Sequence, residues 1–338
     1  MNSANYKIIV WLNISIFFLI IMVMVGGITR LTDSGLSMVT WKPITGVVPP
    51  LNENDWINSF NEYKKFPEYI INNQNMTISE YKSIYIWEYL HRMLGRFFGF
   101  LFIIPFSIFF LKGYLNNNLI KHLLLIFILG AFQGLIGWYM VKSGLINDPH
   151  VSHYRLALHL FVAFLILAYT YKLKISLLFD KISMINNYKF HNNFISIIII
   201  LLFVQIVFGA FNAGLKTVDI VSTFPFYNGM IFPFSKMTID PFWLNFLENN
   251  FGVQLMHRYL AFFLVFIVCC FTYYVNNDCD RLQSESKYAL TIIIYQCILG
   301  VLTLVSGATL IFGLMHQLLA IVLILTMIRI KHKLKYIA

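Results

Sequence analysis

Apolar positions fall along this chain in eight long blocks, with approximate limits 8–26, 87–111, 122–141, 154–171, 194–212, 253–275, 288–306 and 308–328. Each block is close to the ~20 residues that a helix needs to cross the hydrocarbon of a bilayer. Inside lipid a single block can satisfy its own backbone only as a helix. The polar intervals are unequal: residues 30–86 and 213–252 make long loops and the others are short. An even number of crossings puts both termini on one side. Lysine and arginine are densest at Lys7, in the 112–121, 172–191 and 276–287 loops, and in the tail from Arg329. The positive-inside rule therefore predicts cytoplasmic termini and two long loops on the outer face. The first block is too long for the apolar core of a cleaved signal peptide and is expected to stay as the first helix.

The outer loops carry patterns of their own. Trp56, Phe60 and Tyr63 recur at helical spacing behind Asn52-Glu53-Asn54-Asp55 and predict a short amphipathic helix. Thr77 followed by Glu80 predicts a capping box that opens a helix running into the second span. Pro43, Pro49 and Pro50 punctuate the first loop, and Thr223-Phe224-Pro225 and Asn228-Gly229 mark turns in the second. Both loops are expected to lie as lids over the outer face.

Composition agrees with the blocks. Of 338 residues, 59% are hydrophobic and 12% charged, against ~25% charged in soluble domains. The net charge of +10 follows the topology and gives no argument for nucleic acid. Cys269, Cys270, Cys279 and Cys297 contain no C-x-x-C pair and are expected to be reduced structural thiols.

The chain also repeats. Glu88-Tyr89-Leu90-His91-Arg92 is echoed by Gln254-Leu255-Met256-His257-Arg258, and Leu158-His159-Leu160 by Met315-His316-Gln317. Gln133 to Gly137 is echoed by Gln296 to Gly300. Spans one to four match spans five to eight in the same orientation. The expected fold is an all-α integral membrane protein, with eight transmembrane helices as two pseudosymmetric four-helix bundles, residues 1–180 and 181–338.

Nine histidines are present. His122, His150, His153, His191 and His332 fall in loops, at span edges or in the tail. His91, His159, His257 and His316 fall inside spans, on the second and fourth helix of each half, near the outer face. Ionisable side chains in membrane helices are costly and usually functional. Four residues after each stands a small residue: Gly95, Ala163, Ala261 and Ala320. That position neighbours the histidine on the helix face. A flat, wide ligand can then lie against the helix at the imidazole tip, as a porphyrin does when facing helices each give its iron a histidine. Two histidines per bundle are too few for a zinc site. Proton relays favour chains of acids, and Glu88 is the only acid inside a span.

The halves differ around their histidines. Glu88, Arg96 and Arg155 in the first half stand against Gln254, Phe262 and Phe312 in the second. A buried carboxyl is raised by desolvation and lowered by arginine, and can be poised for proton transfer. The first half is thus expected to host chemistry, and the second to hold a cofactor and pass electrons. Arg92, Arg155 and Arg258 lie where haem propionates want cations.

Gly26-Gly27-Ile28-Thr29-Arg30-Leu31-Thr32-Asp33-Ser34-Gly35-Leu36-Ser37 closely resembles the segment after the first helix of haem A synthases. So do Trp41-Lys42-Pro43, Pro49-Pro50-Leu51, Phe66-Pro67-Glu68-Tyr69, Glu88-Tyr89-Leu90-His91-Arg92, Tyr154-Arg155-Leu156-Ala157-Leu158-His159-Leu160, Thr223-Phe224-Pro225, Met256-His257-Arg258 and His316-Gln317. The chain is similar to the proteobacterial and mitochondrial branch. The resemblance implies an inner-membrane enzyme that oxidises one ring methyl of haem O to a formyl group. The product is the haem A of cytochrome oxidases, so haem O synthase and oxidase assembly are its implied partners. It implies that His257 and His316 ligate a haem b cofactor, that His91 and His159 hold haem O or haem A, and that Glu88 serves turnover. Relatives with a cysteine pair in the first outer loop differ here, because no cysteine precedes Cys269. His153 is an extra histidine, about 9 Å short of His159 along the helix at ~1.5 Å per residue. The rival readings are a bis-histidine two-haem electron carrier of cytochrome b type and, from the repeat alone, a transporter. The oxidation calls for an electron donor or acceptor as a further partner, and a homo-oligomer is compatible with the pattern.

Overall fold

The computed structural model describes residues 3–39, 45–145, 151–178 and 189–336. Trp41-Lys42-Pro43, His150 and the junction at 180/181 lie outside them. Among the described residues the architecture is helical, and the only pairing of strand type is an isolated bridge between Tyr227 and Met230. The long helices are α1 (Ser3–Leu31), α4 (Ile78–Leu111), α5 (Asn117–Gly144), α6 (His153–Leu178), α7 (Lys189–Gly214), α9 (Asn250–Asp278), α10 (Gln283–Val305) and α11 (Leu310–Tyr336). The short ones are α2 (Glu53–Tyr63), α3 (Pro67–Asn72) and α8 (Asn245–Glu248). Among the described residues eight helices are long and apolar enough to cross a membrane, and the chain is a multi-pass membrane protein.

The helices overrun the apolar blocks because backbone hydrogen bonding continues until a cap stops it, whereas hydropathy ends at the lipid boundary. Asn116 caps α5 by accepting from the Leu119 N–H at 2.8 Å, and Asn249 caps α9 by accepting from Phe251 at 2.9 Å. The predicted box is present. Glu80 N–H donates to Thr77 Oγ1 at 3.3 Å and Thr77 N–H to Glu80 Oε2 at 2.7 Å, and the helix runs on to Leu111. The amphipathic α2 also lies where its pattern put it, with Phe60 and Tyr63 buried.

Packing closes the long helices into two rings. α1 touches α4 and α6, and α5 touches the same two; α7 touches α9 and α11, and α10 touches those two. The rings meet where α6 packs on α7 and α11, and where α1 packs on α11. One apolar core is built on Ile8, Leu12, Leu123, Phe164 and Leu167, and the other on Ile195, Ile198, Val268, Phe271 and Met327. In lipid such contacts rest on close packing and interhelical hydrogen bonds. Arg30, at the outer end of α1, supplies some across the seam. Its Nε donates to Ala213 O at 3.1 Å and its Nη2 to the same oxygen at 2.5 Å, at the carbonyl end of α7 where a helix favours a cation. Asp33 continues the link to Lys216 at 2.9 Å. Arg30→Gln should lower stability by roughly 1.5–3 kcal/mol, the range for hydrogen bonds to charged groups. The check is an earlier unfolding midpoint in detergent.

Both long loops fold back as lids with small cores of their own. Met38, Phe60, Tyr63, Tyr81 and Tyr85 form the first, with Trp56 edge-on to Tyr85 at 5.1 Å. Val221, Tyr227, Met237 and Leu255 form the second. Asn228 and Gly229 take positive φ values of 51° and 88° in a tight turn, closed by Tyr227 N–H donating to Met230 O at 2.8 Å. The four cysteines are free thiols.

Candidate functional site

The four intramembrane imidazoles share one local construction. Each faces a glycine on the neighbouring helix of its own ring. A Cβ at Gly26 of α1 would lie 3.2 Å from His91 Cε1, and one at Gly137 of α5 3.1 Å from His159 Cε1. In the second ring, Gly209 of α7 would reach His257 at 3.3 Å and Gly300 of α10 would reach His316 at 3.1 Å. A Cβ at any of these positions would be in tighter than ordinary contact with the imidazole, which would have to shift slightly to admit it. The Nδ1 atoms of all four are sealed and lack a hydrogen-bond partner, while the rings keep some accessible surface. His91 on α4 and His159 on α6 belong to one ring, and His257 on α9 and His316 on α11 to the other.

Three of the histidine positions carry a further fixture. Gln133 Nε2 donates to the backbone oxygen of His159, Gln205 Nε2 to that of His257, and Gln296 Nε2 to that of His316, each at 3.0 Å. Each glutamine stands one turn before the glycine that faces the same histidine. At the fourth position, one turn before Gly26, stands Met22.

The acid and its counterpart clamp the lids. Glu88, 4% exposed, accepts from Ser37 Oγ and from Met38 N–H, each at 2.7 Å, and pairs with Arg92. Arg92 also donates to Met38 O at 3.0 Å. In the second half Gln254 donates to Val221 O at 2.6 Å and accepts from Arg258, which reaches Thr223 O at 2.9 Å and stands over the Tyr227 ring at 4.2 Å. Both side chains accept from the arginine four residues on, but toward the lid Glu88 accepts from a backbone N–H where Gln254 donates to a backbone carbonyl, and of the two only Glu88 carries a charge. Arg92 and Arg258 face their lids. Arg155 stands over the Tyr139 ring at 4.8 Å, in an outer cleft of about 1090 Å³ also lined by Trp138, Lys142 and Tyr154. His153 packs against Tyr154 at 4.1 Å and Phe211 at 5.1 Å, at the start of α6 and apart from the paired imidazoles.

A second acid lies in the first lid. Glu68 is 5% exposed and accepts from Tyr63 Oη at 3.2 Å. Burial, then the charge of Glu88, raises its pKa from 4.5 to about 8. An acid whose folded pKa is raised binds its proton more tightly folded than unfolded. Its full contribution to lid packing is present below the unfolded value and is lost as pH climbs through the folded one. Cleavage of the outer loop by protease, normalised to an unstructured peptide, should therefore rise between pH 5 and pH 9. Glu68→Gln should flatten that rise.

The sequence marks Gly26, Ser37, Glu68 and the Gln133–Gly137 and Gln296–Gly300 repeats as motif positions without assigning them contacts, and Gln205 and Gly209 are not singled out at all. The glycines and glutamines left a readable trace, since Gln-x-x-x-Gly occurs at 133–137, 205–209 and 296–300. The contacts of Ser37 and Glu68 left none, because loop residues reach the acid only through the tertiary fold.

The comparisons cover the whole construction. The family model described as cytochrome oxidase assembly protein matches residues 9–328. A protein of Wolbachia pipientis wMel named heme A synthase is 38% identical over 333 residues, covering 95% of this chain and 92% of its own length. A protein of that name from Flavobacterium psychrophilum is 40% identical over 329 residues, with 95% and 96% covered. Another from Flavobacterium johnsoniae is 38% identical over 341 residues, with 99% of each covered. The match runs from the first long helix into the last, through both lids and all four histidines, and on that ground the chain is a member of the COX15-CtaA family of cytochrome oxidase assembly proteins.

Proposed function

We propose that this protein is a haem A synthase of the inner membrane, with both termini cytoplasmic, which oxidises a ring methyl of haem O to a formyl group. The observation that carries the reading is the pair of glycine-backed imidazole sets with a carboxylate beside only one of them. Supporting it are the family membership and the names of the relatives. The residues fit a porphyrin at both places: two imidazoles per ring, sealed Nδ1 atoms, and no side chain at the glycines facing them.

His257 and His316 hold haem b, which supplies one-electron redox chemistry when bound. His91 and His159 hold the substrate, haem O, and then the product, haem A. Two successive two-electron oxidations take the methyl through an alcohol to a hydrated aldehyde, which loses water; each takes its oxygen atom from a water molecule, releases two protons and passes two electrons to an external acceptor. Each step releases protons beside α4, where Glu88 is the acceptor. Arg92, Ser37 Oγ and Met38 N–H hold its carboxyl group in place. Arg92 and Arg258 fix the two lids in place. Arg155, in the outer cleft, is a cation suited to the ring carboxylates. Haem O synthase supplies the substrate, and cytochrome oxidase assembly consumes the product.

A two-haem electron carrier would use the same imidazoles but has no need of Glu88, and the relatives do not favour it. Protein expressed with a haem O supply, its pigments extracted and weighed, should yield haem b together with haem A. Haem b alone would return the carrier reading.

A further inference from the structure

The four histidine positions are built alike except in one respect. On α5, α7 and α10 a glutamine ties the helix to the backbone of the facing histidine. On α1 the same position is Met22, whose methyl packs about where a Cβ on Gly95, one turn beyond His91, would touch it at 3.7 Å. Methionine has nearly the length of glutamine but no amide donor. Among the described residues no side chain of α1 donates to the His91 backbone. α1 is held at this depth from another side. Gln317 Nε2 of α11 donates to Val23 O at 3.2 Å, and Gly27 lies so close to Gln317 that an added Cβ would overlap the Gln317 amide. The outer part of α4 is held by the first lid, through Glu88 and Arg92. Among the described residues, the α1–α4 seam is thus the only one of the four histidine seams with no glutamine tie to the histidine backbone.

We propose that the α1–α4 seam is where the substrate ring enters and leaves, with Met22 in place of the glutamine making His91 the ligand that lets go. The inference rests on the reading that both imidazole pairs hold haem. A synthase has to release one haem in every turnover and keep the other. Two bis-histidine sites of the same build do not sort that requirement by themselves; one missing tie does. His159, tied by Gln133, keeps hold of the ring while His91 opens. His257 and His316, both tied, retain theirs.

The test is haem transfer to an apo-globin scavenger added in excess to the purified, haem-loaded protein. Absorbance gives the rates, and mass identifies the haem left behind at each time. The wild type should lose haem in two phases, the fast one being haem O or haem A and the slow one haem b. Met22→Gln should slow the fast phase at least fivefold and leave the slow one alone. Gln205→Met, which removes a tie without changing side-chain length, should speed the loss of haem b by a similar factor. That variant decides the matter even where Met22→Gln does not fold. Two phases whose rates ignore both variants, or a fast phase made of haem b, would overturn the inference and leave the synthase reading standing. A wild-type protein that binds no haem would remove the reading on which the inference rests.

Discussion

Glu88→Gln should leave both haems bound and lower formyl production by about 10²- to 10⁴-fold, the range for loss of a positioned acid–base group. The second half of the molecule is the control for this substitution. Gln254 stands three residues before His257, as Glu88 does before His91, is 3% exposed, and holds its lid with an amide, donating to Val221 O and accepting from Arg258. An amide can thus hold a lid, but the first lid presents the opposite polarity: Met38 N–H and Ser37 Oγ meet one carboxylate oxygen of Glu88 and Arg92 the other. The substituted side chain can accept through its single oxygen on one of those sides only. The variant removes charge, proton capacity and one acceptor. The measurement is the ratio of haem A to haem O extracted from cells supplied with haem O, set against the total haem retained by the protein. Full conversion in Glu88→Gln would take the proton-acceptor role from this residue and leave it a lid anchor. A collapse of haem content would instead mark the carboxylate as structural.

The second large effect concerns the glycines. Gly209→Val should strip haem b from the protein, and Gly26→Val should strip the haem O or haem A, each by at least tenfold. A Cβ at either place lies 3.2–3.3 Å from the imidazole carbon, tighter than most real contacts, and valine adds two methyls beyond it. The ring must turn away, and an iron ligand out of line is lost. The two variants act on different rings and so test the division of labour between the halves. Helical circular dichroism should be unchanged in both, because neither position faces the apolar cores. Loss of the same haem from both variants would mean that the halves do not hold distinct haems.

The helices were legible in the sequence because lipid imposes one condition on every residue of a span: apolar blocks gave their number and order, and caps such as Thr77 gave their ends. The histidines were legible for a related reason, since a polar group in such a block is conspicuous. What faces them was not. A glycine in a membrane helix is common, and only the packing of α1 on α4 makes Gly26 a partner of His91 rather than part of the Gly26-Gly27 pair. The lids were visible as patterned loops, yet the pairing of Ser37 and Met38 with Glu88 spans about fifty residues and leaves no periodic trace. Arginines at the span mouths suggested anion binding. For Arg92 and Arg258 the structure supplies carbonyls and side chains of the lids as partners, because a loop folded over a helix end brings its own acceptors to the cation. The short α3 and α8 escaped notice because six and four residues are too few to show a period.

The tie between Val23 and Gln317 joins residues 294 apart in sequence. As the chain leaves the ribosome, the first helix enters the bilayer long before the last has been made. Until then one flank of it has only lipid for company, and the Val23 oxygen waits for a donor not yet synthesised. Insertion can proceed helix by helix, but the mature arrangement closes only when the newest segment meets the oldest. Chains truncated ahead of residue 317 should therefore be recognised and degraded as unfinished, even with every earlier span in place.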